Sequence, residues 1–264
     1  MPDSPADYQD FYAGIDRRNV YTKDHPDAFE RELQAFLDQH DLRRGKLLEI
    51  GSGRGVFQDV VPNYTGMDIA ESLRSFYRRP EQFVVAVDGR PFPFPDHAFD
   101  GAFTYATFEH IPSLENALEE LLRVVRPGGF ILFHAAWQVR PWASRGLSVR
   151  PFRDLSLRDR LEKLTVPIRN NVLWRSLTVF PARFFRTLRF CLKKNRREWR
   201  IDYRPLDANY QVFWQSDSDA CNHIDIHAAI LWFQSRGCQV EEYPTLLSGF
   251  FARTGSFVVR VPKP

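Results

Sequence analysis

Cysteine is scarce in this chain. Three occur among 264 residues, Cys191, Cys221 and Cys238, scattered and without a CxxC pair. A disulfide scaffold and a zinc finger are therefore not expected, and a reducing, cytoplasmic setting is. Long hydrophobic runs are also missing: nothing approaches ~18 consecutive apolar residues, so no segment reads as spanning a bilayer. The first ten residues are acidic and proline-bearing, with no basic stretch leading into an apolar one, so no secretory signal is expected there. Internal repeats and low-complexity tracts are absent as well.

What is present suits one sizeable core or a core with a long insertion, with 44% apolar and 26% charged residues. The net charge of +3 conceals an asymmetry. Residues 138–204 hold 18 Lys and Arg against five Asp and Glu, a net of +13, and the rest of the chain nets −10. A segment so basic points to an anionic partner.

Residues 1–25 lack hydrophobic periodicity and read as a lid or arm carrying Tyr8, Phe11, Tyr12 and Tyr21. A helix follows over 27–40, with Phe29, Leu33, Phe36 and Leu37 on one face. Strands are expected at 46–50, 64–69, 83–87, 99–105 and 130–135, and helices at 55–61, 71–79 and 114–125. The last of these is stopped by Pro127-Gly128-Gly129. After the basic stretch come a helix at 227–236 and strands at 239–243 and 256–261. The alternation predicts an α/β fold, Rossmann-like and doubly wound around a mostly parallel sheet. We read 1–264 as a single domain: arm and helix 1–45, core 46–137, basic and largely helical insertion 138–222 between strands 5 and 6, and the rest of the core 223–264.

The sharpest motif is Leu47-Leu48-Glu49-Ile50-Gly51-Ser52-Gly53-Arg54-Gly55, a strand, a turn with glycine at alternate positions, and an expected helix whose N-terminus would face a ligand. A dinucleotide fingerprint would need a glycine where Val56 stands, and Glu49 suits a cationic ligand better than a pyrophosphate. Asp68 ends the second strand, where an acid can hold ribose hydroxyls or cap a helix. Asp88, followed by Gly89, ends the third.

These residues, with MDIAESL, VVAVDGRPFPFPDHAFDGAFTYATFEHI and ALEELLRVVRPGGFILF, resemble the class I S-adenosylmethionine-dependent methyltransferases, more narrowly their type 11 branch. The resemblance is close over 47–135. It implies a seven-stranded sheet whose last strand is antiparallel, and S-adenosylmethionine as cofactor. Carried over, Glu49, Gly51, Ser52, Gly53 and Gly55 would surround the methionine end, Asp68 with Ile69 the ribose, and Asp88 with Gly89 the adenine. Thr104 and Tyr105 would lie beneath the reactive methyl.

Methyl transfer from a sulfonium is an in-line displacement in which the protein mainly orients the acceptor. A hydroxyl acceptor also needs a base. His110 is the leading candidate, or else it packs under the next helix, and His223 is a second candidate; His134 reads as a core histidine. The segment Ser216–His227 could be a metal site, a polar acceptor pocket or a capped loop. Its ligand spacing matches no known metal set, so no metal is expected. Asp217, Asp219, Asn222 and, less strongly, His223 are read as a pocket for a polyol, with Phe213 and Trp214 to stack on a sugar ring. Asp225 would cap the next helix.

In the insertion, 182–194 plots as an amphipathic helix. Phe184, Phe185, Leu188, Cys191 and Leu192 share one arc and Arg183, Arg186, Arg189, Lys193 and Lys194 the other, with Phe190 misplaced. Pro167 and Pro181 read as breaks. Such a helix suits an anionic membrane surface, or packs on the domain with its basic face in water; nucleic acid fits less well. The expected function is methylation of a small-molecule or glycan acceptor, a sugar hydroxyl on a lipid-linked intermediate, at the inner membrane face. The resemblance extends to members associated with bacterial polysaccharide biosynthesis. Methylation of RNA or of a lipid or quinone-like molecule, and a non-catalytic cofactor-binding adaptor, are the alternatives.

Overall fold

Leu47, Leu48 and Ile50 are buried on both faces of β1 (Lys46–Ile50), as the centre of a parallel sheet requires. The computed structural model describes residues 8, 10–12, 14 and 27–263; Tyr21 and most of the expected arm lie outside these. β2 (Asn63–Asp68) and β4 (Phe99–Thr104) flank β1 in parallel. β3 (Phe83–Val85) lies outside β2, and β5 (Val125–Phe133) outside β4. β9 (Phe257–Arg260) joins β5 antiparallel, and β8 (Gln239–Val240) completes the order β3-β2-β1-β4-β5-β9-β8. The expected seven-stranded, mostly parallel sheet is thus present. Strand order reverses between β1 and β4, and the carboxyl ends of the strands there open a crevice where α/β sheets bind ligands.

Two apolar layers cover the sheet. α1 (Asp27–Gln39) buries Phe29, Leu33, Phe36 and Leu37 on one side, as its spacing predicts. α2 (Leu114–Val124) and α5 (Ile226–Ser235), whose numbering leaves two helices to the insertion, pack on the other. α5 is buried nearly all round, with Asp225 accepting from the His227 amide as its expected cap.

Three expectations change. Residues 53–60 form consecutive turns, not a helix. Gly55 sits at φ +67° and Pro62 disfavours helix at Val61, leaving too few residues to nucleate one. The stretch Glu71–Phe76 winds as a 3₁₀ helix that ends before Pro80. β5 starts at Val125, running through the Pro-Gly-Gly that stops α2.

The insertion forms a hairpin of α3 (Leu157–Asn170) and α4 (Val172–Leu192), followed by a small ribbon of β6 (Tyr203–Pro205) and β7 (Asn222–Ile224). The break lies at Asn171, which caps α4 through the Leu173 amide, while Pro167 and Pro181 lie inside the helices.

The orientation of α4 corrects the helical wheel. Arg183 is 5% and Arg186 7% exposed, and the seemingly misplaced Phe190 is 1% exposed. Arg183 grips Asp225 with two hydrogen bonds (2.9 and 2.6 Å) and the Phe250 and Ala252 carbonyls with two more (both 2.8 Å). Arg186 donates to Asp202 and Asp225 and contacts His227 Nδ1 at 3.2 Å. A buried guanidinium network therefore docks the helix. The apolar arc faces outward, with Phe184, Phe185, Leu188 and Leu192 exposed. Upstream, Leu173, Trp174 and Leu177 of α4 and Leu157, Leu161, Leu164 and Ile168 of α3 are exposed too.

Candidate active site

A cavity of about 260 Å³ opens at the carboxyl ends of the strands. Ile50 and Gly51 follow β1; Met67, Asp68 and Ile69 close β2; Asp88 and Gly89 follow β3. Ala106, Thr107, His110 and Ile111 come from the segment after β4. Tyr8 and Tyr12 from the arm and Phe213, Ser216, Asp217 and Asp219 from the insertion complete the lining.

The glycine loop explains its own sequence. Gly51, Gly53 and Gly55 all lie at positive φ (69°, 52° and 67°), where a side chain is strained. A Cβ on Gly51 would stand 2.1 Å from Thr107, and one on Gly55 2.7 Å from the Tyr77 ring. Asp68 ties the loop to β2. Its Oδ2 accepts from the Gly53 amide (2.9 Å) and its Oδ1 from the amides of Ile69 (2.7 Å) and Ala70 (3.2 Å). Burial raises its pKa and these amides oppose the rise. Asp88 takes the Ser113 amide (3.2 Å) and hydroxyl (3.1 Å).

An adenosyl ligand fits this half of the cavity. Asp68 and Asp88 bracket an apolar wall of Ile69, Val87, Phe92 and Ile111, and Gly89 at φ +71° leaves the rim open. Gly51, Asp68, Ile69, Asp88 and Gly89 thus line the cavity as expected. Ser52, Gly53 and Gly55 shape the loop from behind. Glu49 is set back as well: it is buried, it accepts from the Tyr64 hydroxyl, and burial drives its pKa well up. Thr104 and Tyr105 do not line the cavity. Thr104 is fully buried in the sheet, and the Tyr105 ring stacks on His134, 4.7 Å between centroids. The chain turns at Ala106 (φ +50°), and Ala106 and Thr107 line the cavity in their stead. His134 is the expected core histidine, its pKa lowered by burial to about 4.

The other half of the cavity is polar. His110 Nδ1 stands 3.3 Å from Asp219 Oδ2, which also accepts from the Tyr12 hydroxyl at 2.6 Å. His110 Nε2 stands 3.7 Å from Glu109 Oε1. Burial alone would lower the His110 pKa, but Asp219, Glu109 and Asp217 carry it up to about 10. Burial raises Glu109 to about 7. Glu109 escaped the sequence reading, although an acid directly between Phe108 and the candidate base His110 is a signal in itself.

The predicted acceptor residues separate. Asp217, at φ +62°, and Asp219 reach the cavity with Phe213 and Ser216. Asn222 does not: its amide donates to the Phe108 and Ile111 carbonyls and clamps the turn that carries His110. His223 is turned toward the Val139 carbonyl (2.7 Å), and Trp214 packs on Gly146 and beneath Arg150. The register of β7 accounts for this, since it holds 222–224 in the ribbon.

Residues 48–133 match the family model described as a methyltransferase domain. The chain is similar to a fatty-acid O-methyltransferase of Mycolicibacterium smegmatis, 30% identical over 46% of this chain and 48% of that one. It is also similar to a tRNA (carboxymethyluridine(34)-5-O)-methyltransferase of Arabidopsis thaliana, 35% identical over 38% and 26%. A phthiotriol/phenolphthiotriol dimycocerosates methyltransferase of Mycobacterium tuberculosis matches at 28% over 50% and 54%. The chain spans about half or less of the length of these relatives. Among solved structures, a SAM-dependent methyltransferase of Thermotoga maritima aligns over 89% of this chain and 98% of that one at 16% identity, with a TM-score of 0.42. The motif order, the sheet and the family match converge: residues 48–133 belong to a class I methyltransferase domain whose methyl donor is S-adenosylmethionine.

Proposed function

We propose that the chain transfers a methyl group from S-adenosylmethionine to an oxygen of a lipid-borne acceptor at a membrane surface. The observation that carries this is the two-part cavity, lined in part by the insertion, whose helical hairpin turns an apolar face outward. When bound, the cofactor supplies an activated methyl on a sulfonium. Asp68 and Asp88 hold its ribose and adenine, and the positive-φ glycines let it approach the backbone. Tyr8, Tyr12 and Phe213 roof the site and exclude water. The acceptor's polar head enters beside Ser216, Asp217 and Asp219, a lining that favours a hydroxyl-rich head such as a sugar. A proton released by a hydroxyl acceptor passes to the Glu109–His110–Asp217–Asp219 cluster.

Exposed Phe, Leu and Trp on α3 and α4 support membrane attachment, with exposed Lys193, Lys194, Arg196, Arg197 and Arg200 just beyond to meet anionic head groups. Among the described residues no helix is long and apolar enough to cross a membrane, so the hairpin would lie in the interface. The similarity to enzymes named for fatty-acid and dimycocerosate methylation agrees with a lipophilic acceptor. Incubation with methyl-radiolabelled cofactor and a bacterial membrane lipid extract tests the reading. Label is expected in the glycolipid fraction; no label there, with label in total RNA incubated in parallel, would contradict it.

A further inference from the structure

We infer that Glu109, His110 and Asp217 form a binding site for a divalent cation at the acceptor end of the cavity. Three observations carry this. First, one potential ligand atom from each residue lies within 4.8 Å of the other two. Second, Glu109 is fully buried, yet neither carboxylate oxygen makes a well-aligned hydrogen bond, and the Glu109 and Ala136 amides offset its burial only in part. A buried carboxylate so poorly compensated costs several kcal/mol unless it takes up a proton or meets a positive charge. Its nearest cation is His110 Nε2, whose 3.7 Å distance is too long for a hydrogen bond. Two ligand atoms each ~2.1 Å from one ion stand roughly 3.4 Å apart at a tetrahedral angle. The pair is therefore spaced for an ion between them.

Third, the histidine has the support that metal ligands usually have. Nδ1 faces Asp219, and Asp219 is held by the Tyr12 hydroxyl. The Asp219 carboxylate at 3.3 Å would orient the ring once an ion displaced the proton from Nε2. Two carboxylates and one imidazole suit Mn²⁺, Zn²⁺ or Fe²⁺. His110 and Asp217 line the cavity, so open coordination positions would face the acceptor. There the ion would hold an acceptor oxygen and make its hydroxyl a stronger acid. The inference deepens the functional reading above, and its test is independent of transfer.

Chelator-treated full-length protein is titrated with Mn²⁺, followed by loss of the free-ion electron paramagnetic resonance signal, and with Zn²⁺ by calorimetry. S-adenosylhomocysteine affinity is measured on every sample. We expect one equivalent of at least one ion to bind with micromolar affinity. Glu109→Gln and Asp217→Asn should each weaken it tenfold or more and leave the S-adenosylhomocysteine affinity within twofold. Binding of neither ion by protein that still binds S-adenosylhomocysteine would overturn the site, as would undiminished binding by both variants. If Glu109→Gln fails to fold, Asp217→Asn, whose residue lies on the cavity rim, decides alone. Failure to bind S-adenosylhomocysteine would count against the methyltransferase reading; ion binding lost on Asp217→Asn would still uphold the site.

Discussion

Asp68 shows how one carboxylate serves two tasks. It organises the glycine loop through the Gly53 amide, and it lines the cavity where we propose that the ribose of the cofactor binds. Removing a charged hydrogen-bonding group costs ~1.5–3 kcal/mol. Asp68→Ala is therefore expected to weaken S-adenosylmethionine binding tenfold or more in a calorimetric titration; unchanged affinity would move the ribose elsewhere. This residue was legible in the sequence because its position follows from local features, a strand end at a fixed offset from a glycine turn. Thr107 was less legible: the turn at Ala106 shifts the lining by two residues, and no spacing rule encodes a single positive φ at a non-glycine residue. Asn222 and His223 also misled, because their partners lie more than 80 residues away along the chain.

At the scale of elements, α4 is the instructive case. Its two arcs were visible in the sequence, but a wheel does not say which arc faces inward. That depends on Asp225, 42 residues from Arg183, and on the carbonyls after α6 (Leu246–Phe250). Breaking a buried ion pair by removing one partner costs ~3–5 kcal/mol. Arg183→Met should lower the melting temperature by on the order of 10 °C, whereas the exposed Arg189→Met should barely change it. The same network sets an acid limit. Burial and the Arg186 charge lower His227 to about 3. Burial alone would raise Asp225, but Arg183 and Arg186 bring it down to about 2. Both folded-state values lie below the unfolded ones, so the unfolded state binds more protons on the acid side. Asp202, the other charge facing this cluster, is already paired to Arg186 and Arg189. Stability is therefore expected to be intact above pH ~6.5 and to fall as pH drops toward 3. Denaturant melts at pH 7, 5.5 and 4.5 would show this as a declining midpoint; a flat midpoint would contradict it.

The outward arc of α4 makes a separate prediction. Phe184→Glu with Phe185→Glu should release the protein from anionic vesicles in flotation without altering cofactor affinity, because neither ring contacts the cavity. Undiminished flotation would refute attachment through this face.

For the molecule as a whole, the sheet and its crevice were legible because alternating apolar segments and strand-end acids are local patterns repeated in order. The cap over the crevice was not, because it joins Tyr12, Glu109, His110, Asp217 and Asp219 from three distant stretches. In the division of labour we propose, strand ends hold the cofactor and the insertion presents the acceptor, while its helices turn their apolar face outward. Calorimetric titration of the purified chain with S-adenosylmethionine, beside NAD, tests the central claim most directly. Micromolar binding of the first and none of the second is predicted. Binding of NAD, or of neither ligand even with anionic vesicles present, would contradict it.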